Sequence, residues 1–130
     1  MKRILIILAA FLVVLFISGV VGIHIWIGHD VQKNINLAKL KYSGTAEDAL
    51  IAYLLDETNS PQSRSHIAVW TLGQIQSQKA IPILTKLYLN DPEGKTCKGR
   101  HNVVLCQYEL YKALNAQKIN WWPLHSDLNK

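Results

Sequence analysis

From Ile4 to Ile27 the chain reads ILIILAAFLVVLFISGVVGIHIWI, twenty apolar residues in twenty-four positions, broken only by Ser18, Gly19, Gly22 and His24. As a helix this run rises about 36 Å at roughly 1.5 Å per residue, enough to cross the hydrocarbon core of a bilayer with some tilt. A cleaved signal peptide has a shorter apolar stretch, about 7 to 15 residues, ended by small residues. Val20-Val21-Gly22 resembles such a site, but Ile23, Ile25, Trp26 and Ile27 prolong the run beyond it. The expectation is an uncleaved signal-anchor over residues 1–28, held in the membrane by residues 4–27, with Trp26 where an interfacial aromatic belongs. Lys2 and Arg3 form a short basic tail of the kind retained in the cytoplasm, so the rest of the chain is expected outside it.

Beyond the anchor the composition is that of an ordinary polar domain. From His29 onward there are 12 basic and 9 acidic residues, and the basic ones do not gather into a stripe, so no nucleic-acid partner is expected. Residues 29–44 read as a juxtamembrane linker whose lysines solvate it. In the remainder the apolar residues recur at helical spacing and no window alternates, so the fold class is all-α.

Four helices follow from local signals. Thr45 is a candidate N-cap with Glu47 and Asp48 in the first turn, where the helix dipole favours negative charge; this helix extends to about Asp56. Ser60-Pro61 starts the second, in which Ala68, Thr71, Leu72 and Ile75 stand at i, i+3, i+4 and i+7. The third begins near Ser77 to Ala80, must place Pro82 in its first turn, and presents Ala80, Ile83, Leu84 and Leu87. A polar loop over 91–100 precedes a fourth helix, expected from about Asn102 to Ala116, with Val103, Cys106, Leu110 and Leu114 on one face. Each apolar stripe is too narrow to be buried alone, so antiparallel pairs must stack.

Arg64-Ser-His-Ile-Ala-Val-Trp-Thr-Leu-Gly-Gln-Ile75, followed by Lys79-Ala-Ile-Pro-Ile-Leu84, resembles the HEAT-like repeat of the PBS-lyase type: a basic residue, Ala, Leu-Gly-x-Ile, a turn, then Ala-x-Pro-x-Leu. Gln76-Ser77 departs from it where the family usually has Gly-Asp. The resemblance implies a short α-solenoid of about two helical hairpins over residues 45–120, in which Gly73 admits a neighbouring helix and Pro82 fixes the start of the next. It implies a surface that binds other proteins, and it carries no catalytic residues.

Cys97 and Cys106 are the only cysteines. Outside the cytoplasm a pair this close reads as a disulfide pinning the loop to the fourth helix. Two unpaired thiols and a metal site completed by His101 remain open. A closed structural zinc site needs four ligands, and His101 and Cys106, if both helical, point about 140° apart. No nucleophile-base set has a local signature: Ser65-His66 and His125-Ser126 are adjacent pairs whose side chains tend to diverge. Gly94-Lys95-Thr96 lacks the glycine and strand of a phosphate loop.

Trp121 and Trp122, in an aromatic tail or cap over 121–130, and Trp70 beside the Leu-Gly-x-Ile motif, are the candidate binding residues. The expectation is therefore a single-pass, membrane-anchored helical-repeat protein without enzymatic activity, resident cofactor or metal, acting as an interaction or assembly module for an unidentified protein or membrane complex. The alternative is an accessory protein of a redox or cofactor-handling complex, using the Cys97/His101/Cys106 region for thiol or metal chemistry.

Overall fold

A computed structural model describes residues 2–116, 118 and 125–129 of the chain. Its helices are α1 (Lys2–Lys41), α2 (Ala46–Leu55), α3 (Pro61–Ser63), a π-helical segment (Arg64–Val69), α4 (Trp70–Gln74), α5 (Ile81–Leu87) and α6 (Gln107–Ala116), followed by a 3-10 turn at Ser126–Asn129. No strand occurs among the described residues. Two compact units divide the chain, Met1–Asp30 and Val31–Lys130.

In the first unit the apolar run is helical and its side chains lie outside any core; Phe16 and Trp26 are each about 70% exposed. So large an apolar surface is not stable against water. With 40 residues, α1 is long and apolar enough to span a membrane.

The second unit begins inside the same helix. Residues 29–41 are helical where a linker was expected, because Val31, Ile35 and Ala38 stand at i, i+4 and i+7 and are buried, while Lys33, Asn36, Lys39 and Lys41 are exposed. Asn34 Nδ2 donates to Thr71 Oγ1 at 3.0 Å and to the His66 carbonyl at 3.4 Å, tying this helix to the π segment and α4.

Thr45 caps α2 in a reciprocal capping box with Asp48, and Asp48 also pairs with Lys79 in the turn before α5. At the other end of α2, Asp56 accepts from Tyr42 Oη at 2.5 Å, from Thr58 Oγ1 at 2.6 Å and from the Thr58 amide at 2.8 Å. Lys41 lies 3.1 Å from the same carboxylate. These donors, Thr58 and then Tyr42 foremost, hold the Asp56 carboxyl well below the usual carboxylate range. A depressed folded-state value contributes stability that is full above the ordinary value near 4 and is lost as pH falls toward the folded one. Denaturant midpoints of the full chain in detergent should therefore drop between pH 4 and pH 2, and Asp56→Asn should make that drop shallower. Equal acid dependence in both proteins would show that the clamp is not formed. Asp48, held to about 2 mainly by Lys79, keeps a residual acid dependence in the variant.

Ser60 caps the next helix, with Pro61 in its first turn. The π segment inserts one extra residue per turn in its middle, and the buried positions Ser65, Ala68, Thr71, Leu72 and Ile75 still share a face. α4 packs on α6 at Gly73, where an added Cβ would meet Ala113 Cα at 2.9 Å and its Cβ at 3.1 Å. α2 packs on the π segment and α5 on α6. Pro82 sits in the first turn of α5, and Ala80 and Leu84 are fully buried.

The fourth expected helix starts later than Asn102. Residues 92–104 form successive turns, with the Val103 and Val104 amides both bonded to the Arg100 carbonyl, and α6 begins only at Gln107. Val103, expected on the buried face, is 67% exposed. The Cys106 amide is bonded instead to Ser65 Oγ, 41 residues away in the chain. Gln107 joins the two ends of the connection between α5 and α6: its Oε1 accepts from the Leu89 amide at 2.7 Å, and its Nε2 donates to the Leu87 carbonyl at 3.3 Å.

Candidate functional site

Asp91 organises the loop that carries Cys97. Its carboxylate accepts from the Thr96 amide and hydroxyl, both at 2.8 Å, and from the Lys95 amide at 3.1 Å. These bonds, the Thr96 amide foremost, lower the Asp91 carboxyl below its ordinary value. Gly94 has φ +64°, and a Cβ there would stand 2.8 Å from Tyr108 Cβ and 3.2 Å from Cys97 Sγ. Only glycine allows the chain to turn at this point and lie against the start of α6. The Cys97 amide and sulfur both bond to the Gly94 carbonyl, which directs the side chain inward.

Cys106 immediately precedes α6, so its sulfur stands at the end of the helix where the first-turn amides have no intrahelical partner. Its own amide is held by Ser65 Oγ at 2.9 Å, and Ser65 donates in turn to the Pro61 carbonyl at 2.9 Å. Burial, and then the facing Cys97 thiol, push the Cys106 thiol above its ordinary value, with the two helix amides opposing them.

Cys97 and Cys106 are 2% and 4% exposed, and their sulfurs face each other at 2.8 Å as free thiols. The spacing argument thus places the right pair together, at a separation longer than the about 2.05 Å of a bonded pair, so the expected disulfide is not confirmed. His101 is exposed and belongs to the turns, so the helical geometry that would aim it away from Cys106 does not apply. One donor atom of each of Cys97, His101 and Cys106 lies within 4.8 Å of the other two. A cleft of about 220 Å³ opens beside them, bordered also by Glu93, Lys98, Tyr108 and Glu109.

Glu109, which the sequence did not single out, and Ser65, considered there only beside His66, complete this region. Glu109 Oε1 pairs with Lys112 Nζ at 2.8 Å, whereas its Oε2 is buried without a hydrogen-bond partner among the described residues. The signal for Glu109 is its position three residues after Cys106, the spacing of a capping box. Ser65 has no local signal for its role, which depends on a partner distant in the chain.

Trp70 is half-buried in a second, smaller cleft of about 70 Å³ between α4 and α6, with Gly73, Gln74, Lys112 and Ala113. Both clefts are below the roughly 300 Å³ at which pockets for drug-sized molecules begin. Trp121 and Trp122 lie outside the described residues. No protein-family model, curated protein or solved structure matches the chain.

Proposed function

We propose that this chain is a single-pass membrane protein whose helical domain is a HEAT-like interaction module, presenting the surface around Trp70 to another protein beside the membrane. The observation that carries the reading is the pairing of a membrane-length apolar helix with a small helical unit whose clefts suit side chains rather than substrates. The packing of α2 on the π segment, of α5 on α6 and of α4 on α6 accords with two stacked hairpins. Gly73 lies at the junction between them, where the Leu-Gly-x-Ile pattern calls for a close approach. The basic tail Lys2-Arg3 supports a domain outside the cytoplasm. The module has no reaction of its own in this reading.

A membrane-impermeant, amine-reactive crosslinker tests both parts of the proposal. Added to intact cells or spheroplasts, it should couple exposed lysines such as Lys86 and Lys98 to one discrete neighbouring protein. Trp70→Ala, verified as folded by circular dichroism, should reduce that adduct at least about tenfold, as loss of a central aromatic anchor does at interfaces. Coupling only after the membrane is opened overturns the orientation. No discrete adduct with reagent on both sides, or one indifferent to Trp70→Ala, overturns the binding surface. The second reading, an accessory subunit with thiol or metal chemistry, is favoured by the convergence of Cys97, His101 and Cys106.

A further inference from the structure

The two thiols, the imidazole and the adjoining cleft are not used by the interaction surface at Trp70. A disulfide would account for two sulfurs, but it has no use for an imidazole at ligand distance from both. We propose that Cys97, Cys106 and His101 form a binding site for a thiophilic divalent cation of the zinc class, its fourth position open to the cleft for Glu109 or a water molecule.

The chemistry of the donors fits this ion. Two thiolates and an imidazole are the soft and borderline ligands that zinc takes, at about 2.3 Å from sulfur and 2.0 to 2.1 Å from nitrogen. Binding converts both thiols to thiolates, releases two protons to solvent and neutralises the ion's charge. Cys106 stands at the N-terminal end of α6, where the helix dipole favours the negative charge that forms on its sulfur. Two sulfurs on a tetrahedral ion stand about 3.7 Å apart, so loading must spread the pair by about 1 Å. The loop side supplies that movement, since Cys97 lies among turns while Cys106 is held by Ser65 and by the start of α6. The exposed edge of the site is His101, which closes over the ion from the solvent side. The site does not depend on the domain docking to another protein.

The test uses the full chain in detergent, reduced and freed of reductant without oxygen, with cobalt(II) alone as the probe and zinc(II) as competitor. One cobalt per chain should bind, giving the intense visible bands of tetrahedral cobalt and a sulfur-to-metal charge-transfer band, and zinc should displace it. His101→Asn should weaken binding by more than the roughly 10- to 100-fold typical of residues that only support a ligand. Cys106→Ser should remove tetrahedral binding while α6 keeps its cap, because serine is itself a good N-cap residue; circular dichroism checks that it folds. The absence of a cobalt spectrum in the folded, reduced protein overturns the site, as does a spectrum and affinity unchanged by His101→Asn. Protein taken from its native membrane without reductant, if found two hydrogens lighter with Cys97 and Cys106 linked, overturns it in favour of the disulfide. Crosslinking at Trp70 is read separately, so failure of one proposal leaves the other measurable.

Discussion

Gly73→Val should lower the stability of the domain by about 3 kcal/mol, at the upper end of what overpacking costs in a close-packed interior. The side chain would enter a contact in which even a single Cβ meets a backbone atom, Ala113 Cα, at 2.9 Å. Rotamer changes cannot relieve that clash, so α4 and α6 must separate and expose part of the apolar surface they share. Gly73→Ala should be milder, because alanine recovers about 1 kcal/mol of helix propensity against the same displacement. Ala113→Gly should rescue the valine variant only in part: it removes the Cβ at 3.1 Å but leaves the Cα in place. Thermal melts of the full chain in detergent, followed by helical circular dichroism, measure all three. A valine variant that melts with the native protein would show that the helices do not approach this closely.

Ser65→Ala should cost about 1 to 3 kcal/mol, the penalty of leaving a buried amide without its acceptor. The substitution removes the hydroxyl that takes the Cys106 N–H, and with it the bond from Ser65 to the Pro61 carbonyl. Small as the change in volume is, it releases the start of α6 from the π segment. Hydrogen exchange distinguishes this from general loosening: the Cys106 amide should lose protection much more than the Leu84 amide, which remains bonded to Ala80, the residue that caps α5. Uniform loss at both sites would assign the serine a global packing role instead.

Much of the helical framework is legible in the chain because its signals are local. Thr45 with Asp48 three residues later, Ser60 before Pro61, and Pro82 in a first turn each specify a helix start through groups that lie within one turn of one another. Ala68, Thr71, Leu72 and Ile75 are read correctly as a buried face, since the π segment shifts the backbone register without moving these residues off it. The segment 29–41 reads as a linker because its lysines and asparagines outweigh three small or branched apolar residues, whose spacing matters only once the rest of the domain is there to bury them. The start of α6 is misplaced for a related reason: Val103 and Val104 extend the apolar period, but the Cys106 amide is committed to a serine far away in the chain. The candidate site inherits that error. Were His101 and Cys106 both helical they would point apart, whereas the turns bring the two together.

The Gln107 side chain gives the connection between α5 and α6 a property of its own. Since one amide group holds both the Leu87 carbonyl and the Leu89 amide, the segment leaves α5 and returns to α6 at nearly the same point, as a ring closed at its neck. The entropy lost in closing such a ring depends on the logarithm of its length, so doubling it adds only about 0.6 kcal/mol. The helices on either side are therefore positioned by the neck rather than by the span of chain between them. A lineage of such chains can lengthen, shorten or rewrite this segment while the helical framework stays in register, which makes the ring the part of the domain freest to acquire new chemistry.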